Sequence, residues 1–295
     1  MLDYAHLAAV AAVVRSGSFE KAAQQLHVTP SAVSQRVKLL EERLGTVLVV
    51  RGQPCTATDA GRRFCRHVDE VALLEQALHS DLGDLGPAAE PATLRVAINA
   101  DSLATWFVDA MASVDGRLFD LVLDDQDHSA DWLRRGEVVA AISALPQPVQ
   151  GCDVRPLGAL RYVATASPAF VDRWFPDGPN ADALTHAPTI TFNTKDELQA
   201  RWVEAVFERR LVMPSHWLPS TQAFVDATLA GIGWGMNPEG LVAEHVEDGR
   251  LVVLEPDRPL DVALYWHCSR MLAAALTDVT SVVVDAAKRW LVPMT

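Results

Sequence analysis

Residues 29–45, TPSAVSQRVKLLEERLG, hold the densest set of side chains able to act on another molecule. Thr29 as a capping hydroxyl and Pro30 at the first helical position predict a helix that runs to about Leu44 and stops at Gly45. Spacings of three and four put Ser31, Ser34, Gln35 and Lys38 on one face, while Ala32, Val33, Val37 and Leu40 take the buried side. The exposed face offers hydroxyls, an amide and cations, with no acid before Glu41. Hydroxyls and cations hold phosphates, and a Gln amide pairs bidentately with adenine, so the inventory suits a DNA major groove. Spacing alone leaves the face equally open to service as the solvated side of a helical bundle.

Three later segments offer polar groups of another kind. Asn99-Ala100-Asp101-Ser102 follows an apolar alternation and opens a helix, so free amides there, with the Ser102 hydroxyl, would accept a carboxylate. The plain alternative is an N-cap by Asp101 or Ser102. Asp124-Asp125-Gln126-Asp127-His128 crowds three carboxylates into four residues, which is costly unless they are solvated or face a cation. They would bind an ammonium or guanidinium group, or else form an exposed turn. No second histidine lies nearby for a metal. Pro219 to Phe224 precedes the string Gly231-Ile232-Gly233-Trp234-Gly235, whose glycines follow a helix and open a strand, the reverse of a phosphate-binding loop.

The elements needed to position these groups follow from periodicity. Leu2, His6, Ala9, Val10 and Val13 recur at helical spacing before Ser16-Gly17-Ser18, and Ser18 caps a short helix over Phe19 to Leu26. A turn at His27-Val28 leads into the polar helix, which matches helix-turn-helix docking. Val47 to Val50 and Thr56 predict a two-stranded wing, and Asp59 to Leu82 a long helix with a stripe of Phe64, Val68, Val71, Leu74 and Leu78. Gly83 to Pro91 reads as a linker. Beyond it, strands at Leu94 to Ile98, Leu121 to Leu123 and Val138 to Ile142 alternate with helices near Ser102 to Met111 and Trp132 to Arg135, implying a parallel sheet. A second set has strands at Tyr162 to Ala166, Thr189 to Phe192 and Gly235-Met236, with helices at Leu198 to Phe207 and Ala223 to Ala230. Val262 to Trp266 returns to the first set, and Leu276 to Leu291 closes the chain as a helix. Two such lobes leave a ligand cleft between them.

Composition narrows the partners. The net charge is −13, yet residues 1–66 carry nine Lys/Arg against five acids, leaving 16 basic and 33 acidic residues for the remainder. A basic head on an acidic body fits a DNA-contacting module whose other domain stays off the phosphates. No apolar run approaches the roughly 18 residues of a membrane span, and the N-terminus lacks the basic start of a signal peptide, so a cytoplasmic protein is expected. Cys55, Cys65, Cys152 and Cys268 show no CxxC spacing and read as reduced thiols, with no metal and no cofactor.

The block GSFEKAAQQLHVTPSAVSQRVKLLEERLG (Gly17 to Gly45), then Val49-Val50-Arg51 and Thr56-Ala57-Thr58-Asp59-Ala60-Gly61, resembles the LysR-type transcriptional regulators. The resemblance implies an N-terminal all-α winged helix-turn-helix, a long linker helix pairing with a second subunit, and a C-terminal two-lobed α/β effector-binding domain of periplasmic-binding-protein type. The implied bounds are 1–60 for the DNA-binding domain, 61–85 for the linker helix, 86–92 for a hinge and 93–295 for the effector domain. Lobe I then takes about 93–145 and 262–295, and lobe II 146–261. It also implies DNA contacts by Ser31, Ser34, Gln35, Arg36 and Lys38, a wing-side phosphate contact by Arg51, a homodimer or homotetramer, and RNA polymerase as a partner.

The strings VAINADSLATWF, DDQDHSADWLRRGEVVAAI, PSTQAF, GIGWGMNPE and LYW extend the resemblance to the ArgP and LysG branch, which answers to lysine and arginine. That branch implies control of amino-acid export or metabolism, with Asn99, Asp101, Ser102, Asp125, Asp127, His128 and Thr221 as effector contacts. Two departures stand out: Asn237 occupies a usually apolar position, and Thr191 to Gln199 matches poorly. Competing readings are a regulator with another small effector, a sequence-tolerant nucleoid-type DNA binder and a periplasmic amino-acid-binding protein. An enzyme is not expected, since no GxSxG, HExxH or Walker loop occurs.

Overall fold

Caps and apolar stripes build the N-terminal part as the periodicity requires. In the computed structural model, which describes residues 3–82, 91–124 and 129–294, α1 (Tyr4–Ser16) starts where the Asp3 carboxylate accepts the Ala5 N–H and ends at left-handed Gly17. The Ser18 hydroxyl caps α2 (Phe19–Gln25), and Thr29 Oγ1 accepts the Ala32 N–H to open α3 (Pro30–Leu44). Leu7, Val10, Val13, Ala22, Ala23, Val33, Val37 and Leu40 close over one small core. The wing is β1 (Val49–Val50) antiparallel to β2 (Thr56–Ala57). The helix α4 (Asp59–Leu82) then spans 24 residues, about 36 Å at 1.5 Å per residue. It serves both halves of the molecule. Phe64, Cys65 and Val68 pack on the N-terminal core, whereas Leu73 is fully buried in the core of the C-terminal part.

The C-terminal sheet runs in the order β10 (Val252–Val253), β6 (Cys152–Ala166), β11 (Leu260–Ser269), β5 (Ala140–Ser143), β3 (Ala92–Ile98) and β4 (Arg117–Leu123), with β9 (Gly235–Pro238) also on β6. As the alternation predicts, β3 (Ala92–Ile98) pairs in parallel with β4 (Arg117–Leu123) and β5 (Ala140–Ser143). The connection to the second lobe is antiparallel: β6 (Cys152–Ala166) and β11 (Leu260–Ser269) pair from Leu260↔Tyr162 to Ser269↔Cys152. The upper part of β6 also pairs antiparallel with β9 (Gly235–Pro238) and β10 (Val252–Val253). A second, parallel pair joins β7 (Thr189–Thr191) to β8 (Ser215–Trp217).

Several elements differ from expectation. β6 begins ten residues before Tyr162, because Pro156 and Gly158 break the alternation that marks a strand while the β11 ladder still holds the backbone. Gly158 is needed there: its φ is +135°, and a Cβ would sit 2.7 Å from the Leu291 side chain. The helix expected from Ser102 starts earlier, as α5 (Ala100–Ser102), then a π-helical segment Leu103–Phe107, then α6 (Val108–Ala112). The helices α7 (Ser129–Arg135), α10 (Leu198–Phe207), α11 (Thr221–Leu229) and α13 (Thr277–Trp290) lie where expected, whereas α8 (Pro168–Trp174), α9 (Ala181–Leu184) and α12 (Glu239–Glu247) had no clear periodicity. All four cysteines are free thiols, and burial pushes Cys268 up to about 12.

Candidate functional site

Two separate surfaces gather the candidate residues. On α3, Val33, Val37 and Leu40 point into the N-terminal core. Ser31, Gln35 and Lys38 are exposed, and Ser34 and Arg36 are half-buried. Lys38 pairs with Glu42 at 3.6 Å, with both side chains well exposed. Such a pair contributes little and separates readily when a phosphate competes. Arg51, exposed beside the wing, lies 5.2 Å from the centre of the Phe19 ring. The structure therefore places five of the six candidate DNA contacts on one helix and the sixth on the adjacent wing.

The second surface is a cleft, open to solvent, lined among others by Asn99, Asp101, Asp124, Asp196, Thr221 and Asn237. Asp101 lies in the first turn of α5, and its carboxylate accepts the Tyr162 hydroxyl at 2.6 Å and the Thr221 hydroxyl at 2.7 Å. Tyr162 lies on β6 and Thr221 opens α11, so this one carboxylate ties the first lobe to the second. Asn99 is buried on the cleft wall and occupies the N-cap position of α5 with extended backbone. Ser102 is fully buried, and its Oγ has no partner among the described residues. It does not reach the lining, because the helix start at Ala100 turns it inward. The candidates Asp125, Asp127 and His128 lie outside the described residues.

Two further carboxylates line the cleft: Asp124, the first acid of the 124–128 cluster, and Asp196, which the sequence did not mark. Asp124, at the end of β4, accepts the Trp132 Nε1–H at 2.8 Å and lies 3.9 Å from Lys195 of the second lobe. Asp196 accepts the Phe192 and Leu198 backbone N–H groups at 2.9 and 3.0 Å. Burial is the largest cause pushing its pKa up, opposed by those amide bonds, and the Asp101 charge pushes the same way as burial. Asp196 falls in the segment that matches the branch poorly, and no periodic pattern marks a cap inside a loop. The acid pair Asp196-Glu197 before Leu198 was the available signal. Asn237, the other departure, is buried with its Nδ2 donating to Thr165 Oγ1 at 2.9 Å.

Residues 4–62 match the family model of the bacterial regulatory helix-turn-helix protein, lysR family, and residues 88–288 match the LysR substrate binding domain. The chain belongs to the LysR family. Across 97% of its length, this LysR-family chain is 45% identical to the HTH-type transcriptional regulator LysG of Mycobacterium tuberculosis, covering 94% of that relative. Its fold matches the crystal structure of ArgP from Mycobacterium tuberculosis with a TM-score of 0.81 at 43% identity, each chain covered completely. It also matches full-length LysG from Corynebacterium glutamicum with bound effector Arg, at a TM-score of 0.69 and 36% identity, covering 99% of this chain and all of that one. These relatives are regulators rather than enzymes. No helix among the described residues is long and apolar enough to cross a membrane.

Proposed function

We propose that this LysR-family chain is a DNA-binding transcriptional regulator whose inter-lobe cleft senses a basic amino acid, L-arginine or L-lysine. The observation that carries the reading is the convergence of Asp101, Asp124 and Asp196, from three separate segments, on one cleft. Carboxylates brought together in a partly dry site repel one another, and a cation is the ligand that relieves this. The Arg-bound LysG of Corynebacterium glutamicum supports the same chemistry. Within the reading, Asp124 and Asp196 take the distal cationic group, with Asp125, Asp127 and His128 from the adjoining segment. The α-carboxylate meets the amides that follow Asn99, and Thr221 and Asp101 hold the lobes at their junction.

The DNA face comprises Ser31, Ser34, Gln35, Arg36 and Lys38 with Arg51, inside a domain of residues 1–60. Leu74, Leu78 and Leu82 are exposed at four-residue spacing along α4, which supports pairing of this helix with a second copy in a homodimer or homotetramer. The regulator then acts in the cytoplasm, with RNA polymerase as a further partner and amino-acid export or metabolism genes as targets. It needs no cofactor beyond its effector.

Calorimetric titration of the full chain with L-arginine, L-lysine and the uncharged analogues L-citrulline and L-norleucine tests the effector class. Saturable binding of a basic amino acid, with the uncharged analogues at least about 10-fold weaker, is expected from the loss of one charge-assisted bond. Equal binding of citrulline and arginine overturns the charge reading. Failure of every one of these compounds to bind removes the effector assignment and leaves the family membership untouched.

A further inference from the structure

Between the cleft and the DNA-binding head runs a set of direct contacts through α7. At its start, Asp124 on the cleft wall accepts the Trp132 indole N–H at 2.8 Å. The Trp132 ring carries the Arg135 guanidinium 4.6 Å from its centre. The helix then closes with left-handed Gly136 (φ +63°), whose N–H bonds Leu133 O at 2.8 Å, while the Glu137 N–H bonds Trp132 O at 2.9 Å. This turn leaves carbonyls at the helix end that a cation satisfies well. The cation is Arg66 of α4, whose Nη1 donates to Gly136 O at 3.1 Å and to Arg135 O at 3.4 Å. A Cβ on Gly136 would lie 1.7 Å from that nitrogen, so the seat accepts only glycine without movement.

The N-terminal half of α4 also packs on the DNA-binding head. Asp69, one turn beyond Arg66, pairs with Arg15 of α1, and Phe64 and Val68 pack into the core that holds α3. Further along, α4 has a second attachment to the effector domain. Leu73 is fully buried there, and Gln76 bonds Gly116 O and, at 3.3 Å, Arg117. The Arg117 side chain is only 5% exposed and is anchored on Asp278 and the Ala275 carbonyl. The two attachments stand ten residues apart, about 15 Å along the helix. The one at Gln76 is anchored in the core, and the one at Arg66 rests on the helix that touches the cleft.

We propose that Arg66 is a positioning residue that carries the state of the cleft into α4 and the DNA-binding head. The inference rests on the cleft taking a cationic effector. A cation on Asp124 competes with Lys195 and with the Trp132 N–H for the carboxylate oxygens. The Trp132 ring then shifts under Arg135, and the two carbonyls at the end of α7 move beneath the Arg66 guanidinium. With Gln76 as pivot, α4 turns and takes Arg15 and α1 with it.

The test is amide hydrogen exchange of the full chain with and without saturating L-arginine, alongside calorimetry. In the unaltered protein, arginine changes exchange both in residues 129–137 and in residues 59–73. In Arg66→Ala the arginine affinity stays within about threefold and the change in 129–137 persists. The change in 59–73 falls about fivefold or more, comparable to the lower end of usual inter-site coupling. Arg66→Lys, which keeps the charge and one donor, retains part of the response. Trp132→Phe, which keeps the ring and removes the N–H, weakens it in both segments. A merely structural Arg66 would alter exchange equally with and without arginine. A full arginine-dependent change in 59–73 of Arg66→Ala overturns this inference and leaves the effector reading standing. Arginine binding to the unaltered protein without any change in 59–73 does the same. If arginine and lysine do not bind the unaltered protein, both readings fall together.

Discussion

On α3 the groups offered to DNA lie within residues 31–38, and the fold makes little use of them: the one ion pair among them, Lys38–Glu42, is exposed. In the cleft the groups come from the end of β3, the end of β4, the loop before α10, the start of α11 and β9, and nearly all are also structural. Asp101 ties the lobes through Tyr162 and Thr221, and Asp196 holds two backbone N–H groups. A surface built on one rigid helix can change its chemistry without changing stability. A site assembled from loops and strand ends cannot, because each polar side chain was already enlisted to satisfy its surroundings.

The largest effect should therefore come from the cleft. Asp196→Ala leaves the Phe192 and Leu198 amides without acceptors, costing about 1–3 kcal/mol each and lowering the melting temperature by roughly 5–10 °C. Arginine binding should be lost at the same time. An unchanged melting curve would show that the cleft is as dispensable to the fold as the recognition face. Next is Gln35→Ala, with stability unchanged within about 0.5 kcal/mol but about 1–3 kcal/mol of discrimination lost at one base pair of the operator. Lys38→Ala, by contrast, weakens all sequences alike and lowers the salt slope by about 1. Binding-site selection with titrations at several salt concentrations separates the two. A loss of stability in either variant would break the contrast.

The smallest effect is on pH. Burial raises the Asp196 pKa above its ordinary 3.8, so the free protein holds this proton to a higher pH than an ordinary aspartate does. The stability this acid contributes is present below that ordinary value and lost as pH rises through the raised one. A cationic effector favours the ionised form and expels the proton. Arginine affinity should hence tighten by at most about tenfold per pH unit across that window and then level off. Calorimetry in buffers of different ionisation enthalpy reads the released proton; a pH-independent affinity would remove Asp196 from the cation site.

The structure also shows where local pattern stops being informative. The Thr29-Pro30 start, the Gly45 stop and the α3 stripe were legible because a helix imposes its period on neighbours in sequence. The long α4 and the β3-β4-β5 alternation were legible for the same reason. Asp101 was singled out, yet its role as a tie between lobes was not, since Tyr162 is 61 and Thr221 is 120 residues away. Asp196 was missed altogether: a carboxylate capping two amides inside a loop leaves no periodic trace.

By itself, then, the sequence determined the recognition face, the basic head on an acidic body, the order of elements and the type of fold, all properties of short windows or of composition. Tertiary structure alone decided that β6 runs unbroken through Pro156 and Gly158 and that Ser102 turns inward. It also decided that three distant aspartates share one cleft and that Arg66 seats on the end of α7. The reason is physical: helix and strand periods act between residues a few positions apart. Contacts between charges and carbonyls tens of residues apart exist only once packing has brought their elements together.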